Sequence, residues 1–309
     1  MEWDGITSVD LRAIAPEAFD ALARVAALAT EAADPVLVEL ARRRIGRLLG
    51  ATGEVAADRA LPNDKAAALA GWPSAPGLSA MERVGLDVAE QFALDVGSLT
   101  SEQRDALNDV LGARAFEYVQ VIYALDSGFR VRRALDQLFG VEPSPASTTG
   151  EETTLWAALE ELMRVVARMG TLDALTTELI RLRGARAHDC RVCKSRRHIV
   201  VVEAGAGEAT FDQIDWYETS ELSERHKVAL RLTDAMIWQP GAYPSDLPAQ
   251  VRASFTPEEA VEIVLDVSRN AANKIAVALG ADQPSVIDGI EYFDTDEGGR
   301  LVLGVSPAT

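Results

Sequence analysis

Along almost the whole chain, apolar residues recur at three- and four-residue spacings, and β-branched residues rarely alternate with polar ones. That period belongs to amphipathic helices, whose one apolar stripe must be buried against a neighbour. Pro35 to Leu49 sets Leu37, Leu40, Ala41, Ile45 and Leu48 on one helical face. Ser79 opens a second helix with Glu82 completing a capping box, followed by Met81, Val84, Val88 and Phe92. Similar stripes cover Ser101–Leu125, Leu155–Met169, Asp173–Arg186, Ser223–Trp238 and Thr256–Leu279. The tail departs from this pattern. Ile290-Glu291-Tyr292-Phe293, a Gly298-Gly299 turn and Leu301-Val302-Leu303 predict a small β-hairpin. An all-α fold with a terminal β-ribbon is expected.

The 309 residues suggest about two domains, each able to bury its own core. With 30 Lys+Arg against 48 Asp+Glu the formal charge is −18, which weighs against nucleic-acid or anionic-membrane partners, since both need basic surface. No apolar run is long enough to span a bilayer, and Met1-Glu2-Trp3-Asp4-Gly5 lacks the basic and apolar blocks of a signal peptide. Two cysteines cannot frame a chain of this size with disulfides, so a reducing, cytoplasmic setting is expected.

Pro143 to Gly150 has the composition of a linker and divides the chain nearly in half. Setting Asp34–Gly50 over Asp173–Asp189 without a gap pairs Asp34/Asp173, Glu39/Glu178, Leu40/Leu179, Arg42/Arg181, Arg44/Arg183 and Arg47/Arg186 as identities. Leu78-Ser79 then matches Leu222-Ser223, Val84 and Leu86 match Val228 and Leu230, and Glu90 agrees in charge with Asp234. Leu99-Thr100-Ser101-Glu102 resembles Phe255-Thr256-Pro257-Glu258 at the head of each half's last helix. Duplication accounts for this ordered agreement better than chance likeness between Arg-rich helices. The expected organisation is an N-terminal module over residues 1–142, a linker over 143–154, a second module over 155–285 and a hairpin tail over 286–309.

Both cysteines fall in one motif, Cys190-Arg191-Val192-Cys193. Asp189 is a good N-cap, and Cys190 to Glu203, ended by Gly205, predicts a helix with both sulfurs in its first turn. The positive end of a helix lowers a thiol's pKa and so favours the nucleophilic thiolate. Arg181, Arg183, Arg186, Arg191, Lys194, Arg196 and Arg197, against Asp189 alone, add a basic island suited to a thiolate, a peroxide or a substrate carboxylate. Zinc would need more ligands than His188 and His198 supply, so no metal is expected. Two thiols that merely pack are a second reading. A redox pair is the third and favoured one, and the absence of a βαβ pattern removes the thioredoxin fold.

Glu178, Cys190 twelve residues later and then Cys193, on helices of an all-α protein, resemble the alkylhydroperoxidase D / carboxymuconolactone decarboxylase family. The likeness covers Asp173 to about Gly280, and the first half resembles a degenerate copy: Glu39 survives, but Ala51 and Glu54 stand where the cysteines would. The family histidine belongs four residues after the second cysteine, where this chain has Arg197; His198 comes one residue late. The resemblance implies a thiol peroxidase cycle, in which one cysteine becomes a sulfenic acid, the other condenses with it, and a dithiol of lipoyl or thioredoxin type restores the pair. Helix geometry favours Cys190 as the attacking thiol, and the family usually uses the second cysteine; the assignment stays open. On a continuous helix Arg197 would share the face of both thiols, whereas His198 would be turned away by about 100°. Arg197 would then hold the thiolate or pair with Glu178, leaving proton transfer to Glu178.

Other candidates carry less. His188 could reach a thiol or lie in an exposed loop, and His226 reads as surface. Trp216, Tyr217 and Trp238 read as packing, with Trp238 a candidate pocket residue, and Asn270 and Asn273 could hydrogen-bond in a site. No Gly-rich phosphate loop or nucleotide fingerprint occurs, so no cofactor is expected. The leading expectation is a hydroperoxide-reducing thiol oxidoreductase using Cys190, Cys193 and Glu178, with Arg197 or His198 in support. A lactone-decarboxylase-type lyase and a non-enzymatic redox-sensing module are the alternatives. Single-module relatives assemble from paired protomers, so a homotrimer is expected first and a dimer second.

Overall fold

The computed structural model describes residues 3–51, 61–144, 153–286 and 288–307. Residues 145–152 of the expected linker, and Glu54, lie outside them. The first half comprises α1 (Ser8–Ile14), α2 (Pro16–Ala29), α3 (Pro35–Leu48), α4 (Asn63–Ala70), α5 (Ala80–Asp95), α6 (Ser101–Leu111) and α7 (Ala115–Phe139). The second comprises α8 (Leu155–Ala167), α9 (Ala174–Ala187), α10 (Arg191–Lys194), α11 (Ile199–Glu203), α12 (Glu208–Phe211), α13 (Glu224–Trp238), α14 (Leu247–Ser254), α15 (Pro257–Asn270) and α16 (Asn273–Ala278). Three short strands, β1 (Arg196–His198), β2 (Glu291–Thr295) and β3 (Leu301–Leu303), complete a mostly all-α fold with a C-terminal β element.

The helix starts follow from their caps. The Asp34 carboxylate accepts from the amides of Val36 and Leu37 with Pro35 at the first helical position, and Asp173 accepts from Thr176. Ser79 and Glu82 form the expected capping box, as do Thr256 and Glu259. The stripe expected over Ser101–Leu125 is broken, because Gly112 at φ +56° ends α6. Thr100 therefore heads α6 and Thr256 heads α15, each with a capping box, and neither is the last helix of its half, since α7 and α16 follow.

Several contacts occur twice, once in each half. Helix α3 packs on α5 and α9 packs on α13. Arg44 grips Glu90 at 2.9 and 2.8 Å, with the Trp72 indole also donating to Glu90; Arg183 grips Asp234 at 2.6 and 2.9 Å, with the Tyr217 hydroxyl also donating. Leu40, Leu78 and Leu86 fall in one satellite apolar cluster, and their aligned partners Leu179, Leu222 and Leu230 fall in the other. Across the halves, Arg104 of α6 donates to the carbonyls of Val277 and Ala278 at the end of α16, and Arg252 of α14 donates to that of Leu138 near the end of α7.

The halves do not bury separate cores. One continuous apolar cluster runs from Leu11 to Ala278 and takes in residues from both. Helix α2 lies along α8, and α7 crosses α15, where the Ser127 and Ser268 hydroxyls meet at 2.6 Å and Tyr123 donates to the Ser268 carbonyl. Small hydroxyl-bearing residues at the crossing let the two backbones approach while satisfying each other's polar atoms.

The expected hairpin is present: β2 and β3 are antiparallel, with Phe293 opposite Leu303 and Thr295 opposite Leu301. Gly299, at φ +76°, turns the chain against the Arg164 carbonyl of α8, where a Cβ would overlap backbone. A third strand was not anticipated. β1 pairs parallel to β2 with Arg196, Arg197 and His198 opposite Glu291, Tyr292 and Phe293. No described helix is long and apolar enough to cross a membrane.

Candidate functional site

The segment after α9 does not form the expected helix from Cys190 to Glu203. Asp189 adopts φ +52° and caps nothing; Cys190 is itself the N-cap of the one-turn α10, its Sγ accepting from the Cys193 amide at 3.3 Å. The chain then extends into β1 before α11 begins. The C-terminal segment holds both ends of this turn, capping its first amides and taking the carbonyl at which the helix stops. Asp282 takes the Arg191 amide at 2.9 Å and its guanidinium at 2.6 Å, and the Asp282 carbonyl takes the Val192 amide. The Ser195 carbonyl, next in line, accepts from the Glu291 amide at the start of β2.

Cys190 and Cys193 are joined as a disulfide, their Cα atoms 5.3 Å apart. Their environments differ. Cys190 has no solvent-exposed surface, whereas Cys193 is half-buried and opens into a pocket of about 500 Å³.

Glu178, one turn into α9, is 2% exposed. The Arg181 guanidinium binds its two oxygens at 2.6 and 2.7 Å and also donates to the carbonyls of Cys193 (3.0 Å) and Arg196 (2.7 Å). The same guanidinium lies over the Phe293 ring of β2. Arg181 therefore ties the buried carboxylate, the cysteine turn and the sheet together.

Arg197 and His198 exchange the positions expected of them. Because β1 is extended, successive side chains point to opposite faces. Arg197 turns away to a bidentate pair with Glu208 at 2.8 and 2.6 Å and lies over Phe211, far from any partnership with Glu178. His198 turns inward: its amide donates to Glu178 at 3.2 Å and its ring meets Phe293 edge-on. Its Nδ1 is buried without a hydrogen-bond partner among the described residues, and burial holds its pKa below the ordinary histidine value, against the opposing pull of Glu178 and Asp294.

The basic island is neutralised. Arg183 pairs with Asp234, Arg186 with Asp215, Arg191 with Asp282, Lys194 with Asp189, Arg196 with Glu291 and Arg197 with Glu208. The pocket at Cys193 instead gathers guanidiniums from distant segments. Arg164, Arg269 and Arg300 join Arg181 and Arg196 in its lining, with Glu160 the one acid among the lining residues.

Asn270 and Asn273 both line this pocket. Asn273 also accounts for His188, which is buried rather than in an exposed loop: its Nδ1 lies 2.9 Å from the Asn273 amide oxygen. Burial and the Lys274 charge push its pKa down to about 3, so it is neutral and structural. Trp216 and Trp238 are about half exposed and do not pack the helices as expected, although Trp238 lines a separate surface pocket. Tyr217 is buried, and His226 is half-buried beside the charge of Asp173.

Several buried ionisable groups escaped the sequence reading. Asp126 accepts from Arg130 at 2.9 Å and Lys274 at 2.7 Å where the halves meet. On α15, burial raises the pKa of Glu262 and pushes that of Asp266 up to about 7. The available signal was their position: both acids interrupt the apolar run Ala260-Val261-Glu262-Ile263-Val264-Leu265-Asp266-Val267, where a charge on a core face demands a partner.

No family model matches the chain. It is 39% identical over 267 residues to uncharacterized protein Rv2313c of Mycobacterium tuberculosis strain H37Rv, a match spanning 84% of this chain and 93% of that one. Uncharacterized protein MT2376 of strain CDC 1551 / Oshkosh matches with the same identity and coverage. At that identity over nearly the full length of these relatives, the chain belongs to one protein family with the two mycobacterial proteins.

Proposed function

We propose that this protein is a thiol-dependent oxidoreductase that reduces hydroperoxides, built as a duplicated module with resemblance to alkylhydroperoxidase D and redox-active only in its second half. The observation that carries the reading is the asymmetry of the cysteine pair: one sulfur is sealed in the core, and the other opens into a pocket lined also by Arg181, which holds the buried Glu178 carboxylate.

In the reduced protein the Cys193 thiolate attacks the distal peroxide oxygen. The O–O bond breaks, a proton goes to the departing alkoxide, and an alcohol and a Cys193 sulfenic acid result. The Cys190 thiol then displaces the sulfenic oxygen as water, forming the disulfide, and an external dithiol of lipoyl or thioredoxin type returns both electrons and protons by exchange. Glu178 supplies the proton acceptor. His198, its pKa held down by burial and its Nδ1 without a hydrogen-bond partner among the described residues, is the group suited to carry the proton. Arg181 positions Glu178 and the Cys193 turn. Arg197 has no part in this chemistry.

The reading places the protein in a reducing, cytoplasmic compartment and expects a homotrimer; a stable monomer in sedimentation equilibrium would contradict the latter. To test the chemistry, free thiols are titrated before and after one equivalent of cumene hydroperoxide, followed by turnover with a dithiol. Cys190→Ser and Cys193→Ser should each abolish turnover with the circular dichroism spectrum unchanged. Full peroxidase activity in the double variant would overturn the thiol mechanism, and lactone turnover by that variant would favour a lyase.

A further inference from the structure

The pocket beside Cys193 is lined by five arginines, one glutamate and apolar side chains. Of its five arginines, Arg181 and Arg196 are saturated by carboxylates at 2.6 Å. The other three are loosely held: Arg164 and Arg300 have their nearest acids at 3.8 Å, and Arg269 has Asp266 at 3.9 Å. Arg269 is the most enclosed of the three, with a side chain 21% exposed against 34% and 65% for Arg164 and Arg300.

Such a charge is costly to bury without close compensation. Asp266 compensates poorly, because burial raises its pKa to about 7 and leaves it partly neutral at physiological pH. Asn270, the next residue and also in the lining, has a buried amide nitrogen with no hydrogen-bond partner among the described residues. A guanidinium without a close anion and an amide without an acceptor, both from the last turn of α15 and both in the lining of one pocket, together match a carboxylate. Beside Glu160 and Asn273, the lining also presents Trp156, Met163, Ile275, Phe293 and Leu301, apolar surface that matches a hydrocarbon chain.

We infer that the Cys193 pocket binds amphipathic carboxylates, with Arg269 and Asn270 taking the carboxylate and the apolar walls taking the chain. Resting on the peroxidase reading above, this makes the preferred substrate a hydroperoxide of a long-chain carboxylic acid rather than a small neutral hydroperoxide. The carboxylate is held, not transformed. The electrons follow the cycle already described.

Two measurements separate the pocket from the chemistry. In the first, kcat/KM is compared for 13-hydroperoxyoctadecadienoate and its methyl ester. The acid should be favoured by about tenfold or more, the worth of a charge-assisted hydrogen-bonded pair. Arg269→Gln should bring the ratio towards one, Asn270→Ala should lower it, and Arg269→Lys should retain part of it. In the second, octanoate and octanol are titrated calorimetrically into the wild-type disulfide form and into Arg269→Gln. Octanoate should bind about tenfold more tightly to the wild type and lose that advantage in the variant. Equal rates for acid and ester, or equal binding of octanoate and octanol, would overturn the inference. No turnover of either hydroperoxide with the octanoate preference intact would sink the peroxidase reading and leave the carboxylate pocket standing.

Discussion

Arg181 holds both carboxylate oxygens of Glu178, at 2.6 and 2.7 Å, and reaches the Cys193 carbonyl with its remaining nitrogen. Glu178 is almost wholly buried, so this pair is the condition on which the carboxylate can sit beneath the cysteine turn. Arg181→Met should destabilise the fold by about 3–5 kcal/mol, because it strands a buried charge. Glu178→Gln/Arg181→Met should recover part of that loss in urea unfolding. A double variant no more stable than the single one would show that Arg181 acts through its carbonyl contacts instead.

The two sulfurs should differ in reactivity once reduced. Cys193 opens on the pocket and Cys190 has no exposed surface, and thiol chemistry follows access as well as thiolate fraction. Brief treatment with iodoacetamide at neutral pH, read by peptide mass spectrometry, should label Cys193 first. Preferential labelling of Cys190 would reverse the assignment of attacking and resolving thiols.

His198→Asn should slow peroxide turnover by about a hundredfold, the lower range for loss of a proton-transfer group. Arg197→Met should leave the pH profile of turnover in place while lowering the thermal midpoint, since its partners are Glu208 and backbone carbonyls. A silent His198 variant would return the proton transfer to Glu178 alone.

Stability should bend with pH in two opposed ways. His188 in the folded chain takes a proton only near pH 3, whereas the unfolded chain takes one near 6.5. The unfolded state therefore binds more protons in that window, and stability falls as pH drops through it. Asp266 does the reverse: folded, it keeps its proton up to about pH 7, and unfolded it loses it near 3.8. Between those values the folded state binds more protons, so stability falls as pH rises. His188→Gln should flatten the acid limb. Asp266→Asn should raise the denaturation midpoint at pH 8 and change it little at pH 4.

The helices were legible in the sequence because a 3.6-residue period and side-chain caps are local, as at Ser79–Glu82 and Asp173–Thr176. The hairpin was legible from its Gly298-Gly299 turn. What failed depended on residues far away. The helix expected after Cys190 is cut short at Lys194 because Glu291 takes the Ser195 carbonyl and β2 pairs with the following residues, from about a hundred residues downstream. That substitution of strand for helix turned Arg197 out and His198 in. The basic island was real as composition but not as field, since Arg183, Arg186, Arg191 and Arg196 meet acids remote in sequence, at Asp234, Asp215, Asp282 and Glu291. The pocket's loosely held arginines come from α8, α15 and the hairpin turn, and no local pattern links them.

The parallel pairing of β1 with β2 also dictates an order of events at the ribosome. Arg196 meets Glu291 only after the ninety-four intervening residues have been made, and contacts of such long range form late. Until β2 docks, Arg181 lacks the Phe293 ring and the Cys190–Cys193 turn lacks Asp282, so the emerging chain carries its thiols without the framework that distinguishes them. The cysteine turn is thus among the last parts of the molecule to be finished, and a nascent or truncated chain would carry Cys190 and Cys193 without the contacts that set them apart.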